Sequence, residues 1–420
     1  MTLFRNSFFS QNKEFLFLFA VCLSIFIFNI SLEYKNFLEF KQSKHHFIED
    51  AILLQSSTKM NSKNKQYFVL KIKNKEFSFY TTTYKDLNLS KNQHLSLRII
   101  TKNLSFKDYL SKKFYVPSYD LKPLQIKAQN AFISYFLNQH KNTKIKEFYG
   151  ALFFALDISS ELRRDINHYG IAHLIAISGY HIGLLFTLTF FILAPLYGFF
   201  QKRYFPYRNL KFDLSLIIFI LLLVYAYFIG FVPSFTRSLI MAFFGFYLLM
   251  KNIKIFSFLT LFISVCIAIS LYPKLLFSVG FLFSVLGVFY IFLYIHHFSK
   301  YFNTFTNIIL LNFWTFFAMT LPVLYFFPLI SYQQILGVFL SMIFVFFYPC
   351  VLFLHLIGFG GILDEILLIF LNFKLTATEI HLNFWIFLVY ILSALLSIRF
   401  AILALFCVFS NLIAFIWIAI

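Results

Sequence analysis

Residues 170–186 read GIAHLIAISGYHIGLLF and hold His173, Ser178, Gly179 and His181 within an otherwise apolar run. Ionisable groups at membrane depth are costly and usually functional. Ser-Gly in mid-span is a place where a helix can break or kink. A broken helix turns N–H groups and a positive dipole end toward whatever fills the gap, and an anionic phosphate suits that place. The two histidines flank the break and could face one aqueous path. The plainer alternative is that Gly179 only permits close helix packing and the histidines sit at an interface.

Two further segments carry candidate residues. VPSFTRSLIMAFF, residues 232–244, places Arg237 at the entry to a span with no carboxylate nearby in sequence. Arg237 either snorkels to headgroups or lines a polar path and pairs with phosphates. SVGFLFSV, residues 278–285, contains the small-xxx-small pair Gly280 and Ser284, which favours tight helix packing. The carboxylates of the C-terminal bundle are few: Asp213, Asp364, Glu365 and Glu379. Asp364-Glu365 is either a proton or cation site or, more simply, part of a loop. No GxxxxGK[ST] loop, HExxH or HxHxDH-type cluster is found, so neither an ATP motor nor a metal centre is expected. Cys22, Cys266, Cys350 and Cys407 all lie in apolar runs without a CxxC partner and read as small hydrophobes.

The elements that must position these residues follow from composition. Of 420 residues, 60% are hydrophobic and 13% charged, with Phe alone occurring 65 times. Such a chain cannot cover itself with polar groups, so the bilayer is its natural solvent. The net charge of +19 suits anionic headgroups, an anionic substrate or nucleic acid. An AT-rich coding sequence would raise Lys, Asn, Phe and Ile together and is the competing explanation. Residues 15–32 form a first span without a small-residue cleavage site, hence a retained anchor. Residues 33–165 are strongly basic, at about +11.

Period-two alternation there predicts strands. Phe68, Leu70 and Ile72 share one face, as do Phe77 and Phe79, and Leu95, Leu97 and Ile99. Asn74-Lys75 fits a tight turn between the first two. Residues 124–140 predict an amphipathic helix at the membrane interface. Spans are then expected near 171–200, 213–232, 235–250, 253–272, 275–296, 305–327, 334–356, 383–398 and 400–420, with 362–374 too short to cross. Lys202, Arg203, Arg208 and Lys211 share one loop, Lys251 and Lys254 another and Lys300 a third, whereas the intervening loops are almost free of Lys and Arg. The positive-inside rule makes the charged set cytoplasmic, places the N-terminus inside and puts residues 33–165 outside. The fold class is a polytopic α-helical membrane protein with an inserted small β-barrel or sandwich, extracytoplasmic, and an amphipathic interfacial helix.

The run HLIAISGYH, residues 173–181, with Gly170 upstream, resembles the signature HLLAISGLH of the ComEC competence family. P-S-x-x-R-S-x-x-M from Pro233 to Met241 is similar to that family's P-x-x-x-R-A-x-x-M run, with Ser238 in place of Ala. Gly280, Phe281 and Ser284 match its G-F-Q-L-S-F run less closely. The order and spacing of the three agree.

The resemblance implies an inner-membrane channel that passes single-stranded DNA into the cytoplasm during natural transformation. It implies an OB-like β-domain, consistent with OB-folds on single strands. The expected division is an anchor at 1–32, an OB-like domain at 33–120, an amphipathic helix and connector at 121–165, and the channel domain at 166–420. His173, Ser178, Gly179, His181 and Arg237 would line the DNA path; Gly170, Pro233, Gly280, Phe281 and Ser284 would be packing or motif positions. The implied partners are single-stranded DNA, a periplasmic DNA receptor, a cytoplasmic helicase or strand-binding protein, the lipid bilayer and, as a further expectation, a second copy of the chain. Many relatives carry a C-terminal metallo-β-lactamase-like domain; its ligands are missing here, so a separate nuclease is expected. No cofactor and no catalysis are expected. The family's Asn-containing segment has no clear counterpart in residues 336–349. Two other readings stand beside this one. One is a secondary transporter of a small or lipidic anion. The other is an intramembrane metal enzyme using His173 and His181, with His355 or His381 as a distant third ligand.

Overall fold

The computed structural model describes residues 12–60, 66–74, 77–84, 93–111, 113–124, 130–251 and 257–419. The side chains of Pro233, Ser234 and Arg237 lie outside the described part. The chain divides into two compact units, one taking in residues 11–131 with 266–278, the other 132–265 with 279–420.

The first unit begins with helix α1, Asn12–Gln42, which runs ten residues past the end of the expected anchor. Its last turns leave the apolar run because Phe37 is buried in the core of the β-sheet that follows, with its ring 5.4 Å from that of Phe106. The strands are β1 (His45–Met60), β2 (Gln66–Lys73), β3 (Ser78–Thr83) and β4 (His94–Ile100). Helix α2 (Phe106–Ser111) and strands β5 (Lys113–Tyr115) and β6 (Ser118–Pro123) complete the sheet, in the order β5-β3-β2-β1-β4-β6.

Alternation places the core. Leu70, Ile72, Phe79, Leu95, Leu97 and Ile99 are all essentially inaccessible, as a half-buried pleat requires. Phe68 is only partly buried against them. The turn expected at Asn74-Lys75 closes with Asn74 N–H donating to Phe77 O at 2.9 Å, and residues 75–76 lie outside the described part. β1 serves two partners: its first half pairs with β4 and its second with β2, with an irregularity in each ladder. Such bulges bend a long strand.

The helical unit holds α3 (Ala131–Leu137), α4 (Thr143–Phe154), α5 (Ser160–His168), α6 (Ala172–Ile175), α7 (Gly179–Tyr204), α8 (Leu210–Phe228) and α9 (Pro233–Met250). Helix α10 (Phe258–Leu271) comes next, then α11 (Val279–His297), α12 (Thr304–Phe326), strand β7 (Leu329–Ser331) and α13 (Leu336–Leu356). Helix α14 (Asp364–Asn372), strand β8 (Ala377–Glu379), α15 (Phe384–Leu396) and α16 (Ala401–Ala419) end the chain. Among the described residues of the expected amphipathic helix 124–140, Ala131–Leu137 is the helical part; residues 125–129 lie outside the described part. Phe136 on this helix is buried in protein.

Among the described residues six helices are long and apolar enough to cross a membrane: Phe15–Gln42 of α1, then α7, α8, α11, α12 and Tyr332–Leu356. Ser238–Met250, Phe258–Leu271, Phe384–Leu396 and Ala401–Trp417 are apolar but shorter. Phe191, Ile402 and Trp417 stand more than two-thirds exposed, a surface that only lipid stabilises. This is a multi-pass membrane protein. The span expected at 171–200 begins instead at Gly179, and the residues before it form the four-residue α6 and an extended link. α14, at nine residues, is as short as expected.

Helix ends follow glycine. Gly170, Gly230 and Gly358 take φ of +65°, +76° and +86°, values that cost other residues a Cβ clash. At each, the glycine N–H and the next N–H reach back to the carbonyls of the last turn, closing α5, α8 and α13. At α5 the bonds run from Gly170 N to Asn167 O and from Ile171 N to Ile166 O.

The Gly170 turn is also a docking point. A Cβ on Gly337, near the start of α13, would lie 2.7 Å from Tyr169 O, so α13 rests on that backbone only because residue 337 has no side chain. Gly337→Ala is therefore expected to destabilise the protein by about 1–3 kcal/mol, read as a lower thermal midpoint in detergent. An unchanged midpoint would show that the turn can move aside.

Candidate functional site

The signature stretch is held at both ends. α5 is capped at its start by Ser159, whose side chain accepts from Leu162 N. Asp165 in α5 is fully buried between Lys144 Nζ at 2.6 Å and Lys374 Nζ at 2.5 Å. Burial disfavours the Lys144 ammonium, but Asp165 and Glu161 outweigh that and raise its pKa above the ordinary value. Such a pair ties α4, α5 and the segment after α14 together, since stranding any one charge in a buried place is expensive. Leu174, Ile175 and Ile177 then bury in the cores on either side of the break.

The break itself is a helix start. Ser178 is the N-cap of α7, with φ −136° and ψ −178°. Its N–H donates to His181 Nδ1 at 3.2 Å. This is the capping-box arrangement with an imidazole standing where Glu or Gln is usual. Because Nδ1 accepts, the neutral ring carries its hydrogen on Nε2.

His181 is fully buried, its ring centroid 5.4 Å from that of Phe344 and 5.0 Å from that of Tyr348 of α13. His173 is different. It is exposed, and its Nδ1 bonds Gly170 O at 3.0 Å. The two histidines flank the break, as expected, but only His173 has an accessible ring; His181 shapes the helix start.

Gly179 is accessible at the head of α7, and a Cβ there would lie 3.6 Å from Ser238 Oγ on α9. One turn on, a Cβ at Gly183 would meet nothing within 4 Å. Tyr180 OH donates to Ser341 O of α13 at 3.1 Å, and Ser341 Oγ donates to Asn312 Oδ1 of α12 at 3.2 Å. Tyr180, Asn312 and Ser341 were not legible as site residues, because they lie on three helices far apart in sequence and meet only through packing.

The helices bearing these groups contact one another in sequence. α7 packs on α9, α9 on α11, α11 on α12, α12 on α13, and α13 returns to α7. Pro233 is at the start of α9 and Arg237 follows one turn later, so the backbone places Arg237 beside Ser238. Gly280 is accessible at the start of α11, Phe281 is buried, and Ser284 is half-buried on the same helix. A separate cavity of ≈ 260 Å³ is walled by residues such as Phe132, Phe153, Leu222 and Leu352 and is almost wholly apolar, so it cannot hold a phosphate.

No group of three or more metal-ligating side chains occurs among the described residues. His355 lies against His140, a residue that sequence spacing did not connect with it.

No curated protein and no solved structure matches the chain. A family model described as Competence protein matches residues 155–420, which takes in all three motifs and the whole ring of helices. With that match over more than half its length, this multi-pass membrane chain belongs to the competence protein family.

Proposed function

We propose that the chain is the inner-membrane channel through which single-stranded DNA enters the cytoplasm in natural transformation. The observation that carries this reading is the ring α7–α9–α11–α12–α13, with the broken α6–α7 segment on it. A phosphate backbone cannot cross lipid and needs a polar, protein-lined route. His173, Ser178, Gly179 and Arg237 belong to that route, and His181 holds Ser178 in place. The open space beside Gly183 leaves room along α7. In this reading the protein moves a strand across the membrane, driven by a cytoplasmic motor, strand-binding proteins or the membrane gradient.

The sheet is read as an OB-like barrel. One continuous run of chain, residues 113–123, pairs parallel with β3 through β5 and antiparallel with β4 through β6. The two ends of the strand order are thus met by a single stretch, which is what closing a small barrel needs. Tyr80, Tyr84, Tyr115 and Tyr119 are exposed there, and exposed aromatic rings suit stacking on bases. Phe77 and Phe79 are core and are not part of that surface. The charge asymmetry of the loops supports an N-terminus in the cytoplasm and the sheet outside.

The test follows fluorescent duplex DNA in a strain lacking this protein. DNA is expected to reach a DNase-protected place outside the inner membrane, to stop there and to give no transformants. Normal cytoplasmic entry would remove the channel reading and leave a small-anion transporter as the better one.

A further inference from the structure

His140, in the turn after α3, and His355, in the last turn of α13, face each other with Nε2 3.0 Å from Nε2. Both are buried, at 2% and 0% exposure. His140 Nδ1 lies 2.8 Å from Asp364 Oδ1 at the first turn of α14. His355 Nδ1 lies 2.6 Å from Val351 O. The residues thus form a chain: Asp364, His140, His355, then the α13 backbone.

Each contact needs one hydrogen. A carbonyl oxygen only accepts, so His355 carries hydrogen on Nδ1. The Asp364–His140 contact holds a second. If both rings were neutral and Asp364 ionised, the two Nε2 lone pairs would face each other at 3.0 Å with nothing between them. A third hydrogen is therefore required.

The three-proton set is electrically neutral however it is arranged. It can be a carboxylate with one imidazolium, on either ring, or a carboxylic acid with two neutral rings. Removing a proton leaves a net negative charge in a buried place, which is costly.

We propose that Asp364, His140 and His355 form a proton-binding site that holds one proton between the two imidazoles. Asp364 is its port, because its side chain is 19% exposed while the rings are sealed.

The other titratable groups nearby do not supply the missing hydrogen. Tyr149 of α4 stacks on His140 at 4.6 Å, and its hydroxyl makes no hydrogen bond among the described residues. Burial and then the Asp364 charge push its phenol up, so it stays protonated. Cys350 on α13 is exposed, as are Lys141 and Glu365 at the rim. Gln139 is occupied, donating to His355 O at 2.9 Å and accepting from Gly360 N at 2.7 Å.

Two imidazoles 3.0 Å apart, with no metal-ligand group of three among the described residues, favour a proton over a metal ion. Loss of the proton sets two lone pairs against each other and loosens the end of α13 from its neighbours. α13 also carries Tyr348 and Phe344 against His181, so the site is mechanically joined to the start of α7. Only that last link rests on the channel reading; the proton itself does not.

The test uses the full-length protein with ¹⁵N-labelled histidine in lipid bilayers, observed by solid-state NMR at neutral pH. Of 11 histidines, one pair is expected to show a hydrogen shared between two ring nitrogens, and the signal is lost in His140→Asn and in His355→Asn. Asp364→Asn is expected to shift it, since the amide cannot balance an imidazolium. The wild-type spectrum carries the test even if a variant misfolds. Absence of any nitrogen pair sharing a hydrogen would overturn the proposal. So would stoichiometric metal in the purified protein with both Nε2 atoms metal-bound. Neither result bears on whether DNA enters, so failure here and failure of the channel reading can be told apart.

Discussion

Gly179→Leu is expected to abolish transformation while Gly179→Ala leaves it close to normal. The reason is distance. A Cβ at residue 179 makes an ordinary contact of 3.6 Å with Ser238 Oγ, so alanine fits. Leucine adds three carbons beyond that point and must push α9 away from the head of α7 or fill the accessible space beside it. Overpacking of this kind costs about 1–3 kcal/mol in a packed site. In a path it also removes the opening. The measurement is transformant frequency with membrane protein level quantified in parallel, because misfolding would give the same loss. Transformation by Gly179→Leu at wild-type frequency and protein level would show that the break at Ser178-Gly179 is not on the route.

Arg237→Ala is expected to lower transformation about ten- to a hundredfold with the protein still in the membrane. A charge-assisted hydrogen bond contributes about 1.5–3 kcal/mol, and each 1.4 kcal/mol is about tenfold. Arg237 sits one turn into α9, next to Ser238, whose Oγ would lie 3.6 Å from a Cβ at residue 179, so the backbone brings motif two to motif one. Arg237→Lys is expected to recover part of the loss, because the charge remains while the two-pronged geometry does not. If Arg237→Ala transforms normally, the residue snorkels to headgroups and is not on the path.

The two substitutions separate space from charge. Loss through Gly179→Leu with no loss through Arg237→Ala would describe a steric opening without a phosphate contact. The reverse would describe a phosphate site that does not depend on the helix break.

Much of this protein was legible without coordinates. Period-two alternation named Leu95, Leu97 and Ile99 as core, because a pleated strand sends alternate side chains to opposite faces whatever its partners are. Long apolar runs located the six helices long enough to cross, because length and composition alone decide what a bilayer accepts, whereas four further expected spans are shorter helices among the described residues. The break at Ser178-Gly179 was readable because a serine cap before a helix is a local matter. The extension of α1 to Gln42 was not, since Phe37 and Phe40 are helical only by virtue of the sheet core they enter.

What tertiary structure alone decided concerns residues far apart in the chain. His173 and His181 looked equivalent at eight residues' separation, yet packing by Phe344 and Tyr348 seals one and leaves the other accessible. His140, His355 and Asp364 span more than 220 positions and meet within 3.0 Å. No periodicity could join them, because hydrogen bonding between side chains depends on where helices pack. The spacing that sequence records is distance along the chain, and the proton between two imidazoles responds only to distance through space.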